Sequence, residues 1–216
     1  MNIGAIFDWD GVIIDSSRYH EESWEKLAQQ ENKALPHNYF KKSFGKRNET
    51  IIPEVLKWTR GEEEIQKLSH IKEETYRGII LERGLTPLPG VKAFLEILRQ
   101  HNVPCAVGSS TPSLNITTAL RILRFEHYFQ VIIAAEDVTK GKPAPQVFLF
   151  AAQKLQLPPG QCVVFEDAHV GIAAARAGGM KVVAVATTNP ASELTKADLV
   201  VHRLDELSID KLKELF

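Results

Sequence analysis

The alternation of apolar and polar residues predicts two kinds of element along this chain. Apolar runs with strand character occur at 3–7, 103–107, 131–135, 162–165, 181–186 and 199–201. Helical spacing of apolar residues separates the later runs, at 91–100, 113–123, 146–155, 170–178 and from 205 to the end. Because strands that alternate with helices form parallel sheets, these regions predict an α/β fold.

The stretch between the first two strands has a different pattern. From 16 to 84 the apolar residues follow helical spacing, and no strand is predicted there. Ser16 or Ser17 can cap a first helix, and Pro36 and Gly45 interrupt the pattern. Helical spacing returns at 50–58 and 62–81. The stretch is therefore predicted to be an all-helical insertion.

This insertion divides the chain into two predicted domains. The α/β core consists of 1–15 and 85–216, and the helical domain consists of 16–84. Two neighbouring connections between domains make a hinge, so the helical domain is expected to form a lid over the end of the first strand.

Charge and composition exclude several classes of function. Lys and Arg total 26 against 27 for Asp and Glu, so neither nucleic acid nor an anionic membrane is expected as a partner. No apolar run reaches the roughly 18 residues of a membrane span, and no signal-peptide pattern precedes the first strand. Cys105 and Cys162 lie in apolar runs and are expected to be buried, reduced thiols. We predict a cytoplasmic protein, and a monomer because the lid must move.

Candidate chemistry begins at the end of the first strand. Asp8 and Asp10 follow the apolar run, and Gly11 allows the backbone to turn sharply after them. In a parallel sheet the ligand crevice lies outside the carboxyl ends of the strands, so both acids are expected to face a site. The alternative is an ordinary acidic turn, because Asp and Gly are common turn residues.

Three further loops carry polar residues at comparable positions. Ser109 ends the second strand ahead of a helix, where hydroxyl and N–H groups can bind an anion, although Ser also caps helices for structural reasons. Lys142 precedes a helix, where the macrodipole favours anions. It either contacts an anion itself or is an ordinary solvated lysine. Glu166 and Asp167 stand at the end of the fourth strand.

The convergence of these residues predicts a metal site. Two carboxylates about 4 Å apart repel by about 4 kcal/mol at an effective dielectric constant of about 20. A single lysine cannot offset four such groups, whereas a hard divalent cation can. Mg2+ prefers a few carboxylates together with waters and phosphate oxygens, which suits Asp8, Glu166 and Asp167.

In their order and spacing, these motifs resemble those of the haloacid dehalogenase superfamily. The matching segments are Asp8-Trp9-Asp10-Gly11-Val12, the strand end at Ser109, Lys142 in GKPAP, and Glu166-Asp167 followed by Gly171-Ile172. The insertion is similar to the small helical cap in the branch that contains β-phosphoglucomutase and many sugar-phosphate phosphatases. The resemblance implies a Rossmann-like parallel sheet core with helices on both faces, plus an inserted all-helical cap domain.

The resemblance also implies a role for each motif residue. Asp8 would be the nucleophile that becomes an aspartyl phosphate, and Asp10 would act as general acid and then as general base. Ser109 and the N–H of Ser110 would bind the transferred phosphoryl group, while Lys142 neutralises charge. The implied Mg2+ ligands are Asp8, Asp10 (through its backbone carbonyl), Glu166 and Asp167.

The expected substrate is a small phosphorylated metabolite. Asp10 favours phosphate esters, because an alkoxide leaving group needs a proton and a halide does not. By resemblance, Arg47 and Lys72 would approach the distal phosphate or sugar of the substrate, and His20 would lie near the hinge. The alternatives are that Arg47 and Lys72 are solvated and that His20 packs beside Trp24.

Three functions remain open at this point. Gly141 before Lys142 favours a phosphatase, since GKP resembles the phosphatase members of the family. A mutase, which must protect its aspartyl phosphate from water, is the alternative. A non-catalytic phosphoacceptor or binding module is the third, but it would need neither Asp10 nor a lid. The segments VIIAAEDVTKGKP and ADLVVHRLDELS also resemble plant-type phosphatases of riboflavin biosynthesis, which depart from the fourth motif kept here as Glu166-Asp167.

Overall fold

A computed structural model describes residues 3–43 and 46–216 of the chain. Gly45, where the sequence predicts an interruption of the helical pattern, lies outside the described residues. Contacts group the chain into two compact units, one of Met1–Asp15 with Thr86–Phe216 and one of Ser16–Leu85. We call them the α/β unit and the helical unit. The sequence-based division places the second boundary one residue earlier, after residue 84.

The α/β unit is built on one parallel sheet. Its strands are β1 Gly4–Phe7, β2 Cys105–Gly108, β3 Val131–Ile133, β4 Cys162–Glu166, β5 Lys181–Val185 and β6 Leu199–Val201. They lie in the order β3-β2-β1-β4-β5-β6. Every neighbouring pair is parallel. The predicted strands are confirmed within two residues at each end. The central strands β1, β2 and β4 are apolar up to Glu166 at the end of β4, because both faces of the sheet are covered.

Apart from α2, for which the sequence predicts no bounds, the helices lie close to their predicted bounds, with two exceptions described below. They are α1 Ser17–Gln30, α2 Tyr39–Ser43, α3 Asn48–Thr50, α4 Glu62–Arg83, α5 Val91–Gln100, α6 Ser113–Leu123, α7 Gln146–Lys154, α8 His169–Ala177 and α9 Ile209–Lys213. The predicted single helix from 205 to the end is wrong. A 3-10 turn at Leu204–Glu206 comes first, and α9 starts later because Ser208 caps it by accepting the Lys211 N–H at 3.2 Å.

Helices cover both faces of the sheet, which confirms the predicted layer arrangement. Ile6 lies on the face that packs against α7 and α8, in a buried cluster that includes Phe148. Phe7 points to the opposite face, where it stacks on Phe165 at 4.5 Å between ring centroids. Phe94 of α5 meets Phe165 edge-on at 5.3 Å. Adjacent residues of β1 therefore pack in the two separate halves of the core.

The helical unit has its own apolar core. Its buried residues are Trp24, Leu27, Tyr39, Ile51, Ile52, Leu56 and Leu68. The helix predicted at 50–58 is instead a π-helical turn, Ile51–Leu56, that follows α3. Pro53 has no N–H to donate to the carbonyl of residue 49, so an α-helical ladder cannot continue through it. Within residues 16–43 and 46–84 the structure contains no strand, as predicted.

Two further expectations concern the whole chain. Cys105 and Cys162 are free and buried, as predicted, and burial raises the thiol pKa to about 12 and about 11 respectively. None of the helices in the described residues is long and apolar enough to cross a membrane.

Candidate active site

The predicted acids meet at the carboxyl edge of the sheet, because β1 and β4 are neighbours in it. Phe7 pairs with Phe165 in this ladder, and the Asp8 N–H donates to the Phe165 carbonyl at 2.9 Å. Asp8 is thereby fixed at the end of β1. Glu166, the last residue of β4, and Asp167 stand beside it on the neighbouring strand. The register of two short strands thus brings together residues that are about 160 positions apart in the chain.

Lys142 is held between two carboxylates. Its Nζ lies 3.0 Å from Asp8 Oδ1 and 2.7 Å from Glu166 Oε1, and its side chain is only 3% exposed. Nζ also lies over the Phe148 ring, 4.7 Å from its centroid. The other Glu166 oxygen accepts the Ala168 N–H at 2.7 Å. The interpretation of Lys142 as a solvated lysine is therefore wrong.

The electrostatics of this cluster are dominated by buried negative charge. Burial raises the pKa of Asp8 to about 7, with Lys142 acting against the rise and Glu166 and Asp10 adding to it. Burial, Glu166 and Asp8 together raise the pKa of Asp167 to about 8. Burial disfavours the charge of Lys142, but the attraction of Asp8 and Glu166 is greater and raises the pKa of its ammonium. One lysine does not neutralise the carboxylates around it.

The carboxylates fit a hard divalent cation. Asp8, Glu166 and Asp167 each offer one oxygen, and these three oxygens all lie within 4.8 Å of one another. Mg2+ prefers oxygen ligands of this kind, and the excess negative charge of the three carboxylates attracts such an ion. The donor set is therefore compatible with the Mg2+ site that the sequence predicts.

The side chain of Asp10 is held by a residue in the turn after β2, the strand next to β1 in the sheet. The Thr111 hydroxyl donates a hydrogen bond to Asp10 Oδ2. After Asp10 the chain turns at Gly11, which has φ +79° and donates its N–H to the Ile14 carbonyl at 2.8 Å. A side chain at position 11 is excluded in any case, because a Cβ there would lie 2.0 Å from Asp167 Oδ2.

Ser109 and Ser110 occupy the turn between β2 and α6. Ser109 is buried, its N–H donates to the Ile133 carbonyl at 3.0 Å, and its Oγ accepts the Thr111 N–H at 3.2 Å. With its oxygen already accepting, the Ser109 hydroxyl is arranged to donate its proton elsewhere. Ser110 is half-buried in the same turn.

The first N–H of α6 is bound by Glu136, an acidic residue of the same unit. The Ser113 N–H donates to the two Glu136 carboxylate oxygens, at 3.1 and 3.3 Å. The Glu136 carboxylate therefore already satisfies this N–H and places negative charge at the start of α6, where the helix macrodipole favours it.

The sequence predicts no role for the polar loop after β5, which binds Asp167. Thr188 donates a hydrogen bond from its hydroxyl to Asp167 Oδ2, and Asn189 Nδ2 donates to the Asp167 carbonyl at 2.9 Å. Thr187 donates to the Gly11 carbonyl. A signal existed in the sequence, because TTNP follows β5, the strand next to β4, but Thr and Asn at a strand end are equally typical of turns.

In the helical unit, two of the three predicted cap residues lie together. Lys72 Nζ is 2.7 Å from His20 Nδ1 and 2.9 Å from Glu73 Oε1. His20 stacks on Tyr76 at 4.1 Å between ring centroids. Since the Lys72 side chain is 3% exposed, the interpretation of it as a solvated lysine is wrong.

Glu73 is the member of this cluster that the sequence did not predict. It accepts a hydrogen bond from Asn48 Nδ2 at 2.8 Å as well as from Lys72. Burial works to raise the pKa of Glu73, but Lys72 and His20 outweigh it and the pKa falls to about 2. Arg47, the third predicted residue, precedes α3, and its Nε lies 3.8 Å from Glu49 Oε2.

Known proteins and a solved structure resemble this chain over most of its length. A model of the haloacid dehalogenase-like hydrolases matches residues 4–179. The chain is 40% identical, over 99% of its length, to chloroplastic 5-amino-6-(5-phospho-D-ribitylamino)uracil phosphatase of Arabidopsis thaliana, and it spans 57% of that protein. It is also 34% identical to the beta-phosphoglucomutase of Bacillus subtilis (strain 168). That match covers 97% of this chain and 93% of the Bacillus protein. The structure of beta-phosphoglucomutase from Clostridium difficile aligns with all of this chain and 97% of its own, with a TM-score of 0.87 and 28% identity.

Proposed function

Because the chain belongs to the haloacid dehalogenase-like hydrolases, we propose that it is a Mg2+-dependent phosphatase acting through an aspartyl phosphate on Asp8. The observation that carries this proposal is the buried group of Asp8, Lys142, Glu166 and Asp167 at the carboxyl edge of the sheet. It combines a carboxylate nucleophile with an ammonium group and a set of oxygen ligands. Phosphoryl transfer requires mainly positioning and charge stabilisation, which such a group supplies.

In the first step Asp8 attacks the phosphorus atom of the substrate. A bond forms between the Asp8 carboxylate oxygen and phosphorus, the ester P–O bond breaks, and Asp10 gives a proton to the departing oxygen. Ser109 and the Ser110 N–H hold the phosphoryl oxygens, and Lys142 keeps Asp8 ionised and oriented. The carboxylates of Asp8, Glu166 and Asp167 and the backbone carbonyl of Asp10 would hold Mg2+, which would supply positive charge to the phosphoryl group.

In the second step Asp10 acts as a base. It takes a proton from water as the water oxygen attacks phosphorus, and the bond between phosphorus and Asp8 breaks to restore the free carboxylate. Inorganic phosphate is the product. Two displacements at one phosphorus atom thus require the same acid–base group twice, in opposite directions.

We propose phosphate esters of sugars or polyols as the substrate class. The named activity of the Arabidopsis relative is removal of phosphate from a ribityl chain, and that of the Bacillus relative concerns phosphoglucose. Since the chain spans 57% of the Arabidopsis protein, that substrate is one candidate among several. His20, Arg47 and Lys72 are proposed to select the leaving group of the substrate, by resemblance to the cap residues of this family.

A phosphate-release screen tests this function. The full chain is assayed with Mg2+ against sugar and polyol monophosphates, sugar bisphosphates, nucleotides and riboflavin-pathway phosphates. We expect release from a small group of substrates, its loss on removal of Mg2+ by a chelator, and its loss in Asp8→Asn. Asp210→Asn is a matched control, since Asp210 is an exposed residue of α9. Hydrolysis that survives in Asp8→Asn overturns the aspartyl-phosphate mechanism.

A sugar-phosphate mutase is the second candidate, because the chain covers 93% of the Bacillus beta-phosphoglucomutase at 34% identity. A mutase returns the phosphoryl group from Asp8 to a bound sugar phosphate and not to water. Interconversion of β-glucose 1-phosphate and glucose 6-phosphate, primed by a glucose bisphosphate, with little free phosphate formed, would establish it. Free phosphate as the main product of the same mixture would establish the phosphatase.

A further inference from the structure

Three hydrogen bonds fix Thr111 in the turn after β2. It is 8% exposed, and its N–H donates to Ser109 Oγ at 3.2 Å. Its carbonyl accepts the Ala135 N–H at 3.2 Å, and its hydroxyl donates to Asp10 Oδ2. Because the backbone of Thr111 is held by hydrogen bonds on both sides, its hydroxyl has a fixed position from which to orient the Asp10 carboxyl group.

This contact fixes the orientation of the Asp10 carboxyl group. A carboxyl group can turn about the bond to its Cβ, and each orientation presents its oxygens in different directions. The hydrogen bond from the Thr111 hydroxyl to Asp10 Oδ2 favours one of these orientations, because Thr111 is itself held in place. The direction in which Asp10 can give or take a proton is restricted by the same contact.

We propose that Thr111 is a positioning residue for acid–base catalysis, whose hydroxyl binds Asp10 Oδ2 and holds the Asp10 carboxyl group in the orientation from which it exchanges a proton with the reacting oxygens. The inference rests on the proposed phosphatase function and adds a residue to it. In the first step the O–H bond of the Asp10 carboxyl group breaks as the proton passes to the ester oxygen, which keeps the electron pair of the broken P–O bond. In the second step the Asp10 carboxylate takes a proton from the attacking water, and the electron pair of the breaking P–O bond returns to Asp8.

Matched variants isolate the hydroxyl of Thr111. Thr111→Val keeps the β-branched shape and the backbone N–H that binds Ser109, but removes the hydroxyl. Thr111→Ser keeps the hydroxyl and removes only the methyl group. If Thr111→Val does not fold, Thr111→Ala replaces it, because it also retains the backbone N–H.

The experiment compares two leaving groups. p-Nitrophenyl phosphate releases a phenolate that departs without a proton, whereas the sugar or polyol phosphate hydrolysed fastest in the screen releases an alkoxide that needs one. The quantity measured is kcat/KM, which includes the step in which the leaving group departs. The ratio of the two kcat/KM values in one preparation is independent of how much of the enzyme is folded.

We expect the variant without the hydroxyl to lose kcat/KM selectively. Thr111→Val should lower it for the alkyl phosphate by about 10- to 100-fold and for p-nitrophenyl phosphate by less than about threefold. Thr111→Ser should recover most of the loss. An equal loss with both substrates, or no loss with either, overturns the inference, because a structural role alone does not discriminate between leaving groups.

Two further variants separate this inference from the proposed function. Asp8→Asn that retains hydrolysis overturns the proposed function itself. If Asp8→Asn is inactive and Asp10→Asn shows the selective loss with alkyl phosphate, the function stands. If Thr111→Val then has the kcat/KM values of the parent enzyme with both substrates, only the role of Thr111 is overturned.

Discussion

Gly171 and Glu166 lie so close together that no side chain can stand at position 171. A Cβ there would fall 1.6 Å from Glu166 Oε1, the oxygen that accepts the hydrogen bond of Lys142 at 2.7 Å. Gly171 lies in the first turn of α8, directly after the strand end that carries the acid. The glycine therefore provides the space that the buried carboxylate occupies, and through it the position of Lys142.

Gly171→Ala is expected to displace the Glu166 carboxylate. The ion pair with Lys142 should be lost, phosphate release should fall by at least about 10-fold, and the free energy of unfolding should fall by about 1–3 kcal/mol. Phosphate release and urea unfolding measure the two effects. Gly160→Ala serves as the control, since a Cβ at 160 meets nothing within 4 Å. A fully active Gly171→Ala would show that the position of Glu166 does not depend on this glycine.

Thr188→Val is expected to weaken Mg2+ binding. The hydroxyl of Thr188 orients the Asp167 carboxylate, and its loss should raise the Kd for Mg2+ by about 10-fold, as is typical of residues that orient metal ligands. Isothermal titration calorimetry with Mg2+ alone measures this without substrate. Thr188→Ser, which keeps the hydroxyl, should bind Mg2+ like the parent chain. Equal Kd values for all three proteins would contradict the orienting role of Thr188.

Glu73 is expected to make a pH-dependent contribution to stability. Its pKa is lowered from 4.5 to about 2 in the folded chain, so the contribution is fully present above pH 4.5 and is lost as the pH falls toward 2. At pH 7 it should be on the order of 3 kcal/mol, and by pH 3 roughly half should be gone. The measurement is urea unfolding of the parent and of Glu73→Gln at both pH values.

The quantity to compare is the difference in the free energy of unfolding between the parent chain and Glu73→Gln, because the substituted side chain does not titrate. Glu74→Gln is the matched control on the same helix, since Glu74 is exposed and its pair with His70 is a surface pair. It should change the free energy of unfolding by less than about 0.5 kcal/mol at either pH. A parent-to-variant difference for Glu73 that is identical at pH 3 and pH 7 would rule out the ionised, buried Glu73.

Gly78→Ala is expected to stabilise the helical unit. Gly78 lies inside α4 on its exposed side, and a Cβ there meets nothing within 4 Å. Replacing an interior helical glycine by alanine should raise the free energy of unfolding by roughly 0.5–1 kcal/mol. Urea unfolding measures the gain. Gly84→Ala is the opposite case, because Gly84 has φ +76° and alanine there should destabilise the chain.

Much of the fold and the centre of the site could be predicted from the sequence. Apolar runs of strand length locate the six strands, and their alternation with helices makes the sheet parallel. Polar residues just past those runs then share one edge, which is why Asp8, Glu166 and Asp167 could be placed together before any distance was known. One exception in the fold is the C-terminal helix, which starts at Ile209 and not at residue 205. The other is the π-helical turn before Lys57, where one proline outweighs an otherwise helical pattern.

The sequence could not decide how its charged residues are paired. Lys142 and Lys72 could each have been solvated, and both are buried beside acids, Glu166 and Glu73. Spacing along the chain does not show which carboxylate faces which ammonium group. The answer depends on the packing that excludes water around each pair, and burial of that kind is a property of the folded chain.

By itself, the sequence determined the elements, their parallel arrangement and the set of strand ends that carry chemistry, because these follow from local periodicity and from the direction of the strands. Only the tertiary structure decided the supporting contacts, such as Thr111 with Asp10 and Thr188 with Asp167. The partners in each contact are 101 and 21 residues apart, and short hydroxyl side chains are equally common in turns. Such contacts arise when separate loops meet at one sheet edge, so the physical information that specifies them lies in the packing of the whole α/β unit.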